Sequence, residues 1–182
     1  ICGWGGMALN AASMDTRVKA VATSVMYDMS RAMGHGVGDG KDRYSTSDRR
    51  AVLQYLNAQR WKDAENGTFA HGGHDIYVDE NGKVTAAERI LPEALPDNPN
   101  PVLKEFFDYY RMPRGFHARS VNSTGAWTAT TPLSFMNMPL LSYGREITIP
   151  TLIVTGEKAH SRYFAEDAFK AVGSKQKELV IV

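Results

Sequence analysis

The chain has 182 residues, 43% hydrophobic and 23% charged, with a formal net charge of +1. This is ordinary globular composition, and its near-neutral balance provides no electrostatic footprint for nucleic acid or an anionic membrane surface. No apolar run approaches the length of a membrane span, and the single cysteine excludes an internal disulfide.

In chain order, Ile1-Cys2-Gly3-Trp4-Gly5-Gly6 comes first and leads into residues 7–12, a stretch of helical composition. Glycines around a cysteine permit a sharply turned backbone and close approach by neighbours. A helix N-terminus directly after it favours negative charge and offers N–H groups to an oxyanion. Cys2 is therefore read as a nucleophile mounted between a strand and a helix, against the ordinary reading of a lone cysteine as a small buried hydrophobe. Residues 17–25 follow as a short β-prone run, with Met14-Asp15-Thr16 as the connection before them.

From residue 28 to residue 143 the strand-helix rhythm is broken, over a span too long for a simple connection. Residues 34–40 read as a glycine loop, and residues 47–64 as a helix capped by Ser47, with Val52, Leu53, Leu56 and Trp61 on its apolar face. Ile76-Tyr77-Val78 and Lys83-Val84-Thr85 flank Asn81-Gly82 as a hairpin. A proline-rich stretch, residues 91–101, leads to a second helix through Leu103, Phe106, Phe107 and Tyr110. The aromatic and Met side chains from Phe106 to Met138 are core by default, and some of them, Trp127 and Phe135 foremost, are expected to line a substrate pocket under a lid. His71-Gly72-Gly73-His74-Asp75 lacks further ligands at a useful spacing, so no metal or other cofactor is expected. Asp79-Glu80-Asn81-Gly82 reads as a turn rather than a calcium loop.

Residues 149–156 carry the strongest strand signal, with Pro150 at the start, where a missing ladder donor is tolerated. Residues 163–172 read as a helix ended by Gly173, and residues 178–182 as a further strand. This alternation predicts an α/β fold, a parallel sheet flanked by helices, built from residues 1–27 and 144–182, with residues 28–143 as a largely helical cap. The apolar run reaching Val182 and the opening at Ile1 read as a piece of a longer protein.

Three stretches resemble the α/β-hydrolase superfamily, nearest to its dienelactone-hydrolase-like and X-prolyl-peptidase-like groups: residues 1–8 as the nucleophile elbow, 21–31 as the next strand and its end, and 150–164 as the late strand and acid loop. The resemblance implies that Cys2 stands where serine is more common and that the backbone N–H of Gly3 forms half of the oxyanion hole. Trp4 stands where the family usually has a small residue, which implies a wall of the acyl pocket. The usual place of the triad aspartate falls on Ala159, leaving Glu157 on the same loop, or Asp28 at the end of the earlier strand, as the acid that orients a histidine. The family's histidine follows the last strand, and none of the five histidines here has that place; His160 is read as a pocket residue.

The expected function is hydrolysis of an ester, thioester or related acyl bond of a small-molecule substrate through an acyl-cysteine intermediate. Acyl transfer through the same intermediate is one alternative, and a non-catalytic scaffold of the same fold is another. A single free thiol fits a reducing, cytoplasmic compartment.

Overall fold

The glycines that follow Cys2 are themselves helical. Helix α1 runs Gly3–Met14 and is followed by strand β1, Val21–Ser24. In the bend between them, the Asp15 carboxylate accepts the Arg17 backbone N–H at 3.0 Å and the Arg17 guanidinium at 2.7 and 2.9 Å. Next come α2 (Met29–His35), α3 (Thr46–Asn66), and the short strands β2 (His71–Gly72), β3 (Ile76–Val78) and β4 (Val84–Ala86). They precede α4 (Pro101–Tyr110), α5 (Val121–Thr124), β5 (Trp127–Thr128) and α6 (Thr131–Met136). The chain closes with β6 (Thr151–Thr155), α7 (Arg162–Ala171) and β7 (Lys177–Ile181). The computed structural model describes residues 1–38, 42–72 and 76–182. It divides into two compact units, Ile1–Arg43 with Phe135–Val182, and Tyr44–Ser134.

The first unit is mixed α/β. Its sheet has the order β1-β6-β7 and is parallel throughout, with Val21 opposite Thr151 and Ile153 opposite Leu179. Strand β6 starts directly after Pro150, as the missing ladder donor requires. Alternate residues of β6, Thr151, Ile153 and Thr155, are buried. Ile153 belongs to a core with Leu9 of α1, Met26, Ile147, and Ala165, Ala168 and Val172 on or beside α7. Each large member of that cluster contributes about 1.5–3 kcal/mol by leaving water. Near the end of α7, Gly173 donates to the Gly144 carbonyl at 3.0 Å, and a Cβ there would lie 2.0 Å from the Arg145 carbonyl oxygen. Only glycine fits that crossing.

One sequence expectation changes in this unit. Gly34 and His35, read as loop, form the last turn of α2. Asp28 caps that helix and Met29, Ala32 and Met33 are buried along it, which outweighs the helix-breaking tendency of one glycine. Gly36, at φ 73°, ends it. Asp39 and Gly40 of the expected loop lie outside the described residues.

In the second unit, the cap of α3 lies two residues earlier than expected. Ser45, not Ser47, is the N-cap: its hydroxyl accepts the Asp48 N–H at 3.2 Å while the Asp48 carboxylate accepts the Ser45 N–H at 2.9 Å. Val52 and Leu56 are buried, but Trp61 is 72% exposed, so the apolar stripe is narrower than expected. β3 and β4 pair antiparallel as the expected hairpin, and the Asp79 carboxylate accepts the N–H groups of Asn81 and Lys83, both at 2.9 Å. Helix α4 has no buried residue, so its aromatics are not the core that was expected. They meet one another instead, Tyr109 against Tyr110 with ring centres 4.9 Å apart, with the Arg114 guanidinium 5.5 Å from the Tyr109 ring. Among the described residues, no helix is long and apolar enough to cross a membrane.

Candidate active site

Cys2 has φ 52° and ψ −136°, a backbone conformation that L residues with a Cβ adopt only under constraint. Three hydrogen bonds supply that constraint. The Cys2 N–H donates to the Ser24 carbonyl at 3.0 Å, and its own carbonyl accepts from Gly5 at 2.9 Å and from Tyr27 at 3.1 Å. The residue is thus stitched to the carboxyl end of β1 on one side and to the first turn of α1 on the other.

The glycine run is explained by how closely the chain after β1 presses on that turn. A Cβ on Gly5 would lie 2.5 Å from the Met26 Cβ, and one on Gly6 would lie 2.5 Å from the Tyr27 carbonyl oxygen. The Gly6 N–H donates to that same oxygen at 3.2 Å. A Cβ on Gly3 would meet only the flexible Met29 thioether, 3.0 Å away. No side chain caps α1, and with the Gly5 and Gly6 N–H groups bonded to the Cys2 and Tyr27 carbonyls, it is the N–H groups of Gly3 and Trp4 that keep their hydrogen-bonding capacity for an anion. The Cys2 thiol is free and exposed beside them.

The two candidate acids have different surroundings. Asp28 is 9% exposed, and its Oδ1 accepts the Ser30 hydroxyl at 2.5 Å and the Arg31 N–H at 3.0 Å. Its Cα would be 3.4 Å from a Cβ on Gly6, so it stands beside the first turns of α1. Glu157 is exposed on the loop after β6; its N–H donates to the Val182 carbonyl at 2.7 Å and its carbonyl accepts Arg162 at 3.5 Å. His160, three residues on, hydrogen-bonds through Nε2 to the Tyr27 hydroxyl.

The first unit therefore gathers Cys2, Gly3, Asp28, Glu157 and His160 at the carboxyl ends of β1 and β6, the end at which open α/β sheets bind ligands. Trp4 is 75% exposed on the first turn of α1. Trp127 is half-buried in β5 of the second unit, and Phe135 is half-buried in α6 at the start of the first unit's second segment. A shallow hollow lined by Ala20, Ala22, Pro150, Leu152 and Lys175 opens at the amino ends of the strands, far from this chemistry. Among the described residues no three His, Cys, Asp or Glu side chains cluster as a metal site, and of the His71 motif Gly73, His74 and Asp75 lie outside them.

Two residues escaped the sequence reading. Val25, directly after β1, has φ 44°, an outlier for a β-branched side chain. Tyr27 bonds both Cys2 and Gly6 through its backbone and His160 through its hydroxyl. Its only sequence signal was its place one residue before Asp28.

No family model matches the chain. It is 49% identical over its whole length to the uncharacterized protein PA2218 of Pseudomonas aeruginosa, covering 44% of that protein. The crystal structure of PA2218 superposes with a TM-score of 0.82 at 48% identity, across all of this chain and 50% of the other. The uncharacterized protein YcjY of Escherichia coli is 23% identical, with 53% of its length covered. The chain spans about half the length of the curated relatives it matches.

Proposed function

We propose that the intact protein is an α/β-hydrolase that cleaves an ester, thioester or related acyl bond of a small molecule, with Cys2 as nucleophile. The observation that carries this reading is the strained backbone of Cys2 at the N-terminus of α1, held by its bond to the Ser24 carbonyl and by bonds from Gly5 and Tyr27. Strain maintained by three hydrogen bonds around an exposed thiol is characteristic of a presented nucleophile, whereas a structural cysteine needs neither.

In this mechanism the Cys2 thiolate attacks the acyl carbon, and the N–H of Gly3 donates to the developing oxyanion. Collapse expels the leaving group with a proton and leaves a thioester on Cys2. Water then attacks the thioester, releasing the carboxylic acid and restoring the thiol. The resemblance places the proton-carrying histidine after β7, with Glu157 or Asp28 orienting it. A reducing, cytoplasmic setting would keep the exposed thiol competent. Transfer to an acceptor other than water uses the same intermediate.

Incubating the intact protein with p-nitrophenyl acetate and recording its mass tests the proposal. One acetyl group on Cys2, absent from Cys2→Ala, is the expected result. Nitrophenol release at equal rates from both proteins would refute it. A second reading, a binding scaffold of the same fold, is favoured by one observation: the Asp28 carboxylate already serves as a helix cap, and Glu157 is exposed. Unacylated Cys2 in the presence of the ester would select that reading.

A further inference from the structure

Tyr27 makes contacts that no helix cap or core position requires. Its N–H donates to the Cys2 carbonyl at 3.1 Å and its carbonyl accepts the Gly6 N–H at 3.2 Å, so its backbone is part of the elbow. Its ring lies on Phe164, with centres 5.1 Å apart, and edge-on to His160 at 5.7 Å. Phe164 is 1% exposed, which fixes the ring. The hydroxyl then reaches His160 Nε2 on the loop after β6.

The chain is bent to make this possible. Val25 takes φ 44° immediately after β1, and its N–H donates to the Val154 carbonyl at 2.9 Å. A β-branched residue adopts that conformation only where the surrounding structure imposes it. The next two residues are Met26, fully buried in the core, and Tyr27 on the elbow. The strain therefore delivers Tyr27 to a place between the nucleophile and the acid loop.

We propose that Tyr27 is a positioning residue, clamping the loop that carries Glu157 and His160 in register with Cys2. This rests on the acyl-cysteine reading above. The loop has backbone ties of its own, Ala159 to Gly156 at 3.2 Å, Arg162 to Ala159 at 2.9 Å and Glu157 to Val182 at 2.7 Å. The first closes the loop on itself, and the other two hold it to α7 and to the β7 side. The Tyr27 hydroxyl holds it to the β1 side, where Cys2 is.

Tyr27→Phe removes the hydroxyl and keeps the ring on Phe164. In the intact protein with p-nitrophenyl acetate, kcat should fall about tenfold, the rate equivalent of one lost hydrogen bond, with KM changed by less than about twofold. Where Glu157→Gln itself lowers kcat, the Tyr27→Phe effect should vanish in its background, because a clamp on a loop whose acid is gone has nothing left to position. Amide hydrogen exchange over residues 156–161 should quicken in Tyr27→Phe and equally in His160→Ala. A wild-type kcat in Tyr27→Phe, full additivity with a Glu157→Gln that itself lowers kcat, or unchanged exchange would each overturn the clamp. A wild-type protein that never acylates Cys2 would instead overturn the parent reading, and the exchange comparison would still decide whether Tyr27 holds the loop.

Discussion

Gly6→Ala isolates the packing that presents Cys2. Alanine is the better helix former by about 1 kcal/mol, so on propensity alone the substitution stabilises α1. The structure reverses the sign. The added Cβ would lie 2.5 Å from the Tyr27 carbonyl oxygen, 3.2 Å from a Leu140 methyl carbon and 3.4 Å from the Asp28 Cα. Two of these three neighbours are backbone, and the nearest is the acceptor of the Gly6 N–H. Relief requires the helix to back away and lose that bond. Overpacking of about 1–3 kcal/mol plus about 1 kcal/mol for the bond outweighs the propensity gain and leaves a net loss of about 1–3 kcal/mol.

The control is Gly3→Ala, whose closest neighbour is the Met29 thioether sulfur at 3.0 Å, an atom that can swing aside. Its stability should stay within about 1 kcal/mol of wild type, as flexible neighbours absorb small intrusions. Urea unfolding of the intact protein measures both, and the midpoint should fall for Gly6→Ala at unchanged m. In the same samples, iodoacetamide should label Cys2 more slowly in Gly6→Ala, because the helix that supports the thiol has moved. A Gly6→Ala protein as stable as wild type, with Cys2 labelled at the wild-type rate, would show that the close approach of Tyr27 to α1 does not hold the elbow.

Three further outcomes follow from particular contacts. Asp28→Ala should lower stability by about 0.5–2 kcal/mol through the N-cap of α2 whether or not Asp28 is catalytic, whereas Glu157→Gln should leave the melting temperature alone and lower kcat by about 10²-fold or more if it is the acid; unfolding curves and turnover of p-nitrophenyl acetate separate the two. Ser45→Ala should cost about 1 kcal/mol at neutral pH. Hydrogen bonds from Ser45 hold the Asp48 carboxyl below its ordinary value, so the part of this contribution that runs through the carboxylate is present above the ordinary value and lost as pH falls through the lowered one; the gap between the unfolding midpoints of the two proteins should narrow in acid, and the bond from the Asp48 N–H to the Ser45 hydroxyl keeps it from closing. Burial pushes the Tyr163 hydroxyl up to about 12, a group whose neutral form is the folded one; its contribution is complete below the ordinary tyrosine value and lost as pH rises through about 12, which the phenolate absorbance of wild type against Tyr163→Phe would record.

The framework was legible because the signals are local and dense. Residues 149–156 contain a β-branched run bounded by Pro150 and Gly156, and β6 forms inside it, pairing in parallel with β1 and β7. The glycines after Cys2 pointed to a turn for a sound reason, close approach, yet the residues that approach, Met26 and Tyr27, lie far along the chain, beyond β1, and left no mark near Cys2. The cap of α3 was misplaced because Ser45 and Ser47 offer the same hydroxyl, and only the reciprocal bond with Asp48 chooses between them. The aromatics of α4 were misjudged because a hydrophobic pattern reports what a face can bury, not what is there to cover it.

The site itself rests on a feature that composition cannot encode. Cys2 and Val25 are the non-glycine residues with positive φ among the described positions, and the Cys2 N–H bonds Ser24, the residue before Val25. A fold that needed only a parallel sheet could place glycine or asparagine at both positions and relax. Retaining a thiol at one and a branched side chain at the other costs stability twice within one hydrogen-bonded neighbourhood. The expense is offset by the core that Met26 enters and by the bonds of Tyr27 to Cys2 and Gly6, which exist only if the chain turns at Val25. Cys2 is therefore held in its conformation by the segment that follows the next strand, and the candidate acids and His160 are reached through that same segment. The posture of Cys2 and the placement of the candidate acids and His160 are one structural unit, which is why single substitutions at Gly6 and Tyr27 report on both.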